Sequence, residues 1–302
     1  GIPQEDAALA AEVLASSDLR GIDSHGVARL HAYFEMLSAG RINPRPQITT
    51  VRESPSTATV DGDNGLGLVV GPKANEIAME QAVQAGTGWV SVCNTNHYGI
   101  AGYYVLKALE KDLIGWSMTN TTKLVAPLWG AERKLGTNPI AIAFPGKEEP
   151  PIVIDMATCS AAYGKIEIAL RKGEDIPRGW AIDGKGEETL DPKKMIEEGA
   201  ILPLGSDRER GGHKGYGLSF MVEMFSGILT GLGFGLDPKG RHNDGCFIAL
   251  FNVGAFRPLD DFKKDIIEFV DFLKSSAPAP GFGEILYPGE LEWRTEQQRT
   301  RN

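Results

Sequence analysis

A short stretch near the start of the chain combines side chains suited to proton transfer and anion binding. In Asp23-Ser24-His25-Gly26-Val27-Ala28-Arg29, His25 follows a hydroxyl residue and precedes Arg29 by four positions. If a helix begins at Ser24, His25 lies in its first turn and Arg29 on the same face one turn later. The helix dipole and Arg29 then keep His25 near neutral, and the guanidinium forms a fork for a carboxylate. This set suits a 2-hydroxy or 2-oxo acid. A capped helix start with a surface histidine is the alternative.

A second polar stretch follows an apolar run. Asn94-Thr95-Asn96-His97-Tyr98-Gly99 comes directly after residues 89–93, whose composition predicts a strand. Ligands of α/β proteins bind at the carboxyl ends of strands. His97 is therefore a candidate to hydrogen-bond a substrate carbonyl or hydroxyl. The other interpretation is an asparagine-rich turn in which His97 caps the next helix.

A third stretch, Gly211-Gly212-His213-Lys214-Gly215-Tyr216-Gly217, opens a predicted apolar helix. Glycines at a helix N-terminus let backbone N–H groups approach a phosphate, and Lys214 adds a positive charge. The spacing does not match a Walker motif. Helix–helix packing through Gly215 and Gly217 is an equally good explanation of the glycines.

Several familiar motifs are missing. Gly65-Leu66-Gly67 and Gly231-Leu232-Gly233 have two glycines each, and we interpret neither as a dinucleotide-binding turn with its acidic partner. The chain has no G-x-S-x-G motif. No two histidines have i, i+4 spacing, and His31 and His242 have no neighbouring ligand types. We therefore expect no metal site and treat these two histidines as surface groups.

Composition narrows the function classes. The 302 residues include 31 basic and 40 acidic side chains, a net charge of −9, which argues against nucleic acid and anionic membranes as partners. The three cysteines form no CxxC pair. The most apolar stretch, residues 216–232, contains Glu223 and several glycines, so it predicts a buried helix and not a membrane span. With no signal peptide at the start, we expect a cytoplasmic protein.

Strand and helix patterns alternate along the middle of the chain. Strands are predicted at 48–51, 57–60, 89–93, 114–118, 140–144, 152–156 and 246–253. Helices are predicted at 72–85, 101–111, 159–170 and 214–229, after an α-rich segment that ends before residue 47. Residues 183–203 carry turn chemistry and acidic charge, so we predict a surface segment there. The alternation predicts an α/β sheet covered by helices.

The three polar stretches, in this order, resemble the type-2 malate/L-lactate dehydrogenase family, which also includes sulfolactate, ureidoglycolate and diketogulonate dehydrogenases. Further blocks are similar to that family: Leu135-Gly136-Thr137-Asn138-Pro139-Ile140, Ile154-Asp155-Met156-Ala157-Thr158, Ile176-Pro177-Arg178-Gly179-Trp180-Ala181 and Tyr287-Pro288-Gly289-Glu290. Together these blocks extend over nearly the whole chain.

The resemblance implies an α/β fold with a three-layer α/β/α mixed sheet that is unrelated to the Rossmann dehydrogenases. Residues 47–254 would form the α/β domain that binds cofactor and substrate, and residues 1–46 plus 255–302 a helical region built from both chain ends. It also implies NAD or NADP as cofactor, a small 2-oxo or 2-hydroxy acid as substrate, malate or lactate first, and a homodimer with sites near the interface.

The resemblance also implies roles for single residues. His25 would be the acid/base, Ser24 would orient it, Arg29 would bind the substrate carboxylate, and His97 would line the substrate and nicotinamide pocket. Cofactor contacts are implied for Asn120, Thr121, Asp155, Met156, Ala157, Thr158, Cys159, Ser160, His213, Lys214, Pro288, Gly289 and Glu290.

Two departures from the family pattern matter. Some relatives have an acidic residue where Lys165 stands, so the resemblance does not supply the acid of a Ser–His–Asp relay. Residues 234–244 form a shorter stretch than in relatives. Two other functions stay open: reduction of another oxo acid or a cyclic imine, and ligand binding without catalysis. The sequence leaves the choice of hydroxy acid, and of NAD or NADP, undecided.

Overall fold

The computed structural model describes residues 1–147, 150–235 and 244–301, which fall into two compact units. Unit 1 comprises Gly1–Ser117, Ala141–Asp155 and Ile248–Asn302, and unit 2 comprises Met118–Ile140 and Met156–Phe247. The regions predicted above, 1–46 with 255–302 and 47–254, have other boundaries and stay a prediction. His242, and with it most of the stretch 234–244, lies outside the described residues.

Helices and strands alternate along the described chain as the sequence predicts. The helices are α1 (Gln4–Leu19), α2 (Leu30–Ser38), α3 (Gly67–Ala85), α4 (Ala101–Leu109), α5 (Tyr163–Lys172), α6 (Pro192–Glu197), α7 (Gly212–Glu223), α8 (Leu259–Lys274) and α9 (Glu290–Arg301). The strands are β1 (Thr49–Glu53), β2 (Thr57–Asp61), β3 (Thr87–Thr95), β4 (Leu113–Thr119), β5 (Ile140–Phe144), β6 (Ile152–Met156), β7 (Ala181–Ile182), β8 (Glu188–Thr189), β9 (Ala200–Ile201) and β10 (Asp244–Asn252).

Seven strands form one mixed sheet in the order β1-β2-β3-β10-β4-β5-β6. β1 pairs antiparallel with β2, and β2 pairs parallel with β3, with Val60 opposite Val92. Both of these valines are fully buried, as is Val90 on β3. β-branched side chains pack well on a pleated surface, which is why these runs form strands. The predicted α/β class with a mixed sheet is confirmed.

The first residue of α3, Gly67, lets two parts of unit 1 approach closely. A Cβ on Gly67 would lie 1.9 Å from the carbonyl oxygen of Asn96 and 2.5 Å from that of His97. Only glycine fits against these carbonyls. Gly65-Leu66-Gly67 follows β2, and Gly67 is the first residue of α3. Its contacts show that it serves the packing of the His97 loop.

The prediction of a surface segment at 183–203 is wrong. These residues contribute to a three-stranded sheet with the order β8-β7-β9, and they place Met195 and Ile201 in the core of unit 2 with no exposed surface. α6 begins with a sequence signal for a helix start: the carboxylate of Asp191 accepts hydrogen bonds from the N–H groups of Lys193 and Lys194, and Pro192 is the first helical residue. Strands of only two residues leave little periodicity in the sequence.

The predicted buried helix at 214–229 is confirmed in part. α7 ends at Glu223 and continues as a π-helical turn, Met224–Ile228. Gly215 packs tightly, since a Cβ there would lie 2.3 Å from the carbonyl oxygen of Leu204, whereas Gly217 has open space beside it. Phe220 keeps 53% of its surface exposed, so the helix is buried on one face only. Among the described helices, none combines the length and apolar content that crossing a bilayer requires.

Candidate functional site

The segment that carries His25 is not the helix start that the sequence predicts. Two 3-10 turns, Asp23–His25 and Val27–Arg29, precede α2 and are separated by Gly26. The helical ladder is interrupted because the N–H of Val27 donates to the carboxylate of Asp18, over 2.9 Å. His25 therefore does not lie in the first turn of an α-helix, and the helix-dipole argument for its charge is wrong.

Ser24, His25 and Arg29 are nevertheless close together. The Oγ of Ser24 lies 2.9 Å from Nδ1 of His25, and Nε of Arg29 donates to the carbonyl oxygen of Ser24 over 2.7 Å. This bond anchors the guanidinium by Nε, and in the described part of the chain no carboxylate forms an ion pair with its two Nη groups. A guanidinium held in this way presents a two-pronged donor to an incoming carboxylate.

Burial sets the charge of His25. Loss of solvation lowers the pKa of His25 to about 4, and the positive charge of Arg29 adds to this shift. The imidazole is neutral at pH 7 and can accept a proton. The predicted neutrality is therefore found, and its causes are burial and Arg29.

His97 faces His25. The two rings stack with centroids 5.7 Å apart and an interplanar angle of 27°. The Tyr33 hydroxyl lies 2.6 Å from Nδ1 of His97, and the N–H of Gly99 donates to the same nitrogen over 3.3 Å. Because Nδ1 accepts from a backbone N–H, the ring proton belongs on Nε2. Burial, followed by the charges of His25 and Arg29, lowers the pKa of His97 to about 3.

The loop that carries His97 is buried and closely packed. The amide of Asn96 donates to the carbonyl oxygen of Gly65 over 3.0 Å. Tyr98, with 1% of its surface exposed, stacks on Tyr104 at a centroid distance of 4.5 Å. Together with the close approach at Gly67, these contacts fix the ring of His97. The alternative interpretation, in which His97 caps the next helix, is wrong, because α4 begins without a side-chain cap.

The combined arrangement can bind an anion and move a proton. A neutral imidazole (His25), a cationic fork (Arg29) and a neutral ring N–H (His97) lie in one unit. The sequence reasoning missed Tyr33, which supports His97 from behind. Tyr33 and His97 are 64 positions apart, so no local pattern in the sequence points to this contact.

The other predicted residues of unit 1 have visible structural partners. The carboxylate of Asp155 accepts a hydrogen bond from the N–H of Gly102 in the first turn of α4, and burial raises the pKa of Asp155 to about 6. The carbonyl oxygen of Pro288 accepts from the N–H of Val153. Gly289 has φ +91°. Glu290, 4% exposed, binds Lys274 and Arg294 over 2.6 Å each.

The predicted residues of unit 2 fall into a buried and an exposed group. Asn120 accepts from the N–H of Gly245, and the hydroxyl of Thr121 lies 3.2 Å from that of Thr137. The hydroxyls of Thr158 and Ser160 and the thiol of Cys159 bond backbone carbonyl oxygens within unit 2. Burial raises the pKa of Cys159 to about 12. Met156 is 39% exposed, and Ala157 is half-buried beside the core of unit 2.

His213 and Lys214 lie exposed in the first turn of α7, whose N-terminus has no side-chain cap. Desolvation, with Arg208 and Lys214 nearby, lowers the pKa of His213. The N–H groups of Gly212 and Lys214 donate to the carbonyl oxygens of Asp207 and Gly211, so the lysine side chain is the group that this turn offers to a phosphate. Lys165 is exposed on α5. Among the described residues, no carboxylate accepts a hydrogen bond from Ser24, so the Ser24–His25 pair has no third member there.

Comparisons with known proteins agree with this arrangement. The sequence profile of the malate/L-lactate dehydrogenase family matches residues 1–302. A malate dehydrogenase of Pyrococcus abyssi is 47% identical over 306 residues, with 100% of this chain and 84% of the relative covered. An L-sulfolactate dehydrogenase of Methanocaldococcus jannaschii is also 47% identical, over 99% of this chain and 86% of the relative.

Solved structures share the fold. The crystal structure of malate dehydrogenase from Entamoeba histolytica has a TM-score of 0.95 and 37% sequence identity, covering 99% of this chain and 86% of that one. The predicted class of enzyme, a dehydrogenase, and the predicted non-Rossmann fold are therefore confirmed. This chain belongs to the malate/L-lactate dehydrogenase family.

Proposed function

We propose that the protein is a nicotinamide-dependent dehydrogenase that interconverts a short 2-oxo acid and the corresponding L-2-hydroxy acid. One observation carries the proposal. A neutral His25, an anchored Arg29 with its Nη groups available, and the ring N–H of His97 lie within one compact unit. This set matches the three needs of the substrate, which are a proton acceptor or donor, a carboxylate partner and a hydrogen bond to the reacting oxygen.

In the proposed reaction, Arg29 binds the substrate carboxylate through its two Nη groups. The Nε2–H of His97 donates to the substrate oxygen, and Tyr33 keeps that tautomer in place. During oxidation His25 accepts the hydroxyl proton, and Ser24 holds the imidazole through Nδ1. During reduction, the bound carboxylate neutralises Arg29 and so removes one of the two causes that lower the pKa of His25, which helps the ring to carry a proton.

The cofactor supplies hydride exchange at the carbon that bears the oxygen. We propose that the exposed first turn of α7, with His213 and Lys214, binds its phosphates. Asn120, Thr121, Asp155, Met156, Ala157, Thr158, Cys159, Ser160, Pro288, Gly289 and Glu290 stay predicted cofactor contacts. Several of their polar side chains already form hydrogen bonds with backbone groups of the protein. A cofactor would therefore contact backbone groups or exposed atoms of these residues. NAD and NADP are both retained as candidates.

A second anionic group on the substrate is favoured by the relatives. The malate and sulfolactate dehydrogenases are equally similar to this chain. The substrates in their names, malate and sulfolactate, are both 2-hydroxy acids with a second acidic group. We therefore rank malate and sulfolactate above lactate. Other oxo acids, cyclic imines and ligand binding without catalysis are the alternatives that the assay separates.

Exposed apolar side chains beside the site support the proposed homodimer. Val27, Leu30 and Phe34 follow one another at helical spacing and keep 63%, 59% and 65% of their surfaces exposed. An apolar stripe of this kind typically marks an interface. Light scattering coupled to size exclusion should give twice the chain mass, and a single-chain mass would refute the dimer.

Three free cysteines support a reducing, cytoplasmic location.

The decisive experiment is a panel assay. Malate, sulfolactate, lactate, other 2-hydroxy acids and the corresponding oxo acids and imines are each tested with both nicotinamide cofactors, and absorbance at the nicotinamide band is followed. Turnover of a 2-hydroxy acid supports the proposal and identifies the cofactor. Turnover of imines alone would support the alternative enzyme, and cofactor binding without any turnover would support a binding protein.

A further inference from the structure

The last helix of the described chain meets the segment that carries the proposed acid/base. Arg299, near the end of α9, donates from one Nη to the backbone carbonyl oxygen of Asp18 and to the carboxylate of Asp23. Its second Nη lies 3.2 Å from the other carboxylate oxygen of Asp23. One guanidinium therefore bridges the end of α1 and the first 3-10 turn, across more than 270 sequence positions.

The preceding turn of α9 contacts the same corner of unit 1. Glu296 binds Arg20, whose side chain is 3% exposed, over 2.8 Å. A Cβ on Gly21, which has φ +79°, would lie 3.1 Å from the methyl group of Thr295. Contacts at Thr295, Glu296 and Arg299 follow the helix spacing, so one face of α9 lies along this corner.

Asp18 continues the connection on the other side of His25. Its carboxylate accepts from the N–H of Val27, and a Cβ on Gly26 would lie 1.8 Å from one of its oxygens. The turn is thus held before His25, at Asp23, and after it, at Val27. Asp23 fixes the turn before His25 and Asp18 fixes it after His25, and Arg299 contacts both of these residues.

We propose that Arg299 is a positioning residue for the acid/base His25, acting through Asp23 and Asp18. This inference rests on the proposed function only for the identity of the reaction. His25 lies in a single 3-10 turn, closed by one backbone hydrogen bond from its N–H to the carbonyl oxygen of Ile22, so the placement of this turn depends also on the contacts of Asp18 and Asp23. A displacement of about 1 Å at a reacting group lowers the rate by up to about 100-fold.

A structural role alone would have a different consequence. The side chains of Arg299 and Asp23 are 41% and 64% exposed. Exposed ion pairs contribute little to the free energy of unfolding. Loss of Arg299 should therefore leave folding and cofactor binding intact and change only the step that uses His25.

The experiment uses the full chain with five variants: Arg299→Gln, Arg299→Lys, Asp23→Asn, the double variant Asp23→Asn/Arg299→Gln, and Arg301→Gln as the matched control on the same helix. We expect Arg299→Gln and Asp23→Asn each to lower kcat about 10-fold, with the KM for the nicotinamide cofactor and the Tm unchanged. The double variant should be no slower than either single variant, Arg299→Lys should recover part of kcat, and Arg301→Gln should match the wild type.

A second readout does not depend on activity. The chain has five histidines, so ¹⁵N-histidine NMR resolves their rings, and the spectrum of His25→Ala assigns the ring of His25. Arg299→Gln should shift the His25 resonances and leave those of the surface residue His31 in place. Wild-type kcat in Arg299→Gln, additive losses in the double variant, or unmoved His25 resonances would each overturn the proposal. If the wild type turns over no 2-hydroxy acid, the proposed function fails, and the NMR comparison still decides the role of Arg299.

Discussion

The two loops whose histidine rings meet are built in opposite ways. The His25 turn is short, irregular and largely exposed, and it is held by a hydrogen bond from the N–H of Val27 to Asp18 and by hydrogen bonds that Arg29 and Arg299 donate. The His97 loop follows β3 and is buried, and close backbone packing against Gly67 holds it. A surface charge can therefore disturb the first ring, whereas a change of volume in the core is needed to disturb the second.

The difference has a chemical counterpart. His97 is fixed as a hydrogen-bond donor because Nδ1 already accepts from Gly99 and Tyr33. Nδ1 of His25 bonds the hydroxyl of Ser24, and the pKa of His25 depends partly on Arg29, whose charge a bound carboxylate would offset. The closely packed His97 loop suits a ring that stays a hydrogen-bond donor. The His25 turn suits the ring that exchanges a proton, because the pKa of His25 changes with the charge of Arg29.

The largest effect on kcat is expected when the His25 ring is removed. His25→Ala should lower kcat by at least about 100-fold, because no other group takes the proton, while the nicotinamide cofactor still binds. Steady-state kinetics and cofactor titration measure both. His31→Ala is the control, since His31 is exposed on α2. Near-normal turnover in His25→Ala would remove His25 from the mechanism.

Added side-chain volume against the His97 loop should lower the stability of the protein. In Gly67→Ala the added methyl group collides with the carbonyl oxygens of Asn96 and His97, so we expect a loss of about 1–3 kcal/mol in the free energy of unfolding, together with a fall in kcat. Urea denaturation gives the first quantity. Gly217→Ala on α7, where a Cβ meets open space, is the control and should be neutral or slightly stabilising. Equal stabilities for the two variants would contradict the packing argument.

A titration tests what lowers the pKa values of His25 and His97. With pKa values of about 4 for His25 and about 3 for His97, neither ring should gain a proton between pH 8 and pH 5. In Arg29→Met the nearby positive charge is gone, so the pKa of His25 should rise, yet stay below its ordinary value because burial remains. ¹⁵N NMR of the rings measures both midpoints. A wild-type His25 midpoint near its ordinary value would refute burial as the cause.

The smallest effect on kcat is expected when the Tyr33 hydroxyl, which contacts His97, is removed. Tyr33→Phe keeps the aromatic packing and removes only the hydroxyl that bonds Nδ1 of His97. Because a neutral hydrogen bond contributes about 0.5–1.5 kcal/mol, kcat should fall about 2- to 10-fold with little change in Tm. The His97 ring resonances report the lost bond. A loss as large as that in His25→Ala would mean that Tyr33 takes part in the chemistry itself.

Local pattern was enough to predict much of this molecule. Alternating apolar runs gave the strands at 57–60, 140–144 and 152–156 within a residue of their observed bounds. The polar stretches around His25 and His97 were identified because their residue types leave few other uses. The buried sheet at 181–201 was missed, because strands of two residues carry no readable period.

The sequence by itself determined the fold class, the family, and which side chains are able to handle a proton and a carboxylate, because residue type and local periodicity carry that information. Tertiary structure alone decided how those side chains are held. Arg299 reaches Asp23, in the turn that carries His25, from the other end of the chain, and Gly67 at the start of α3 lies against the carbonyl oxygens of Asn96 and His97. Contacts between residues this far apart depend on the folded path of the backbone, so no local pattern contains them.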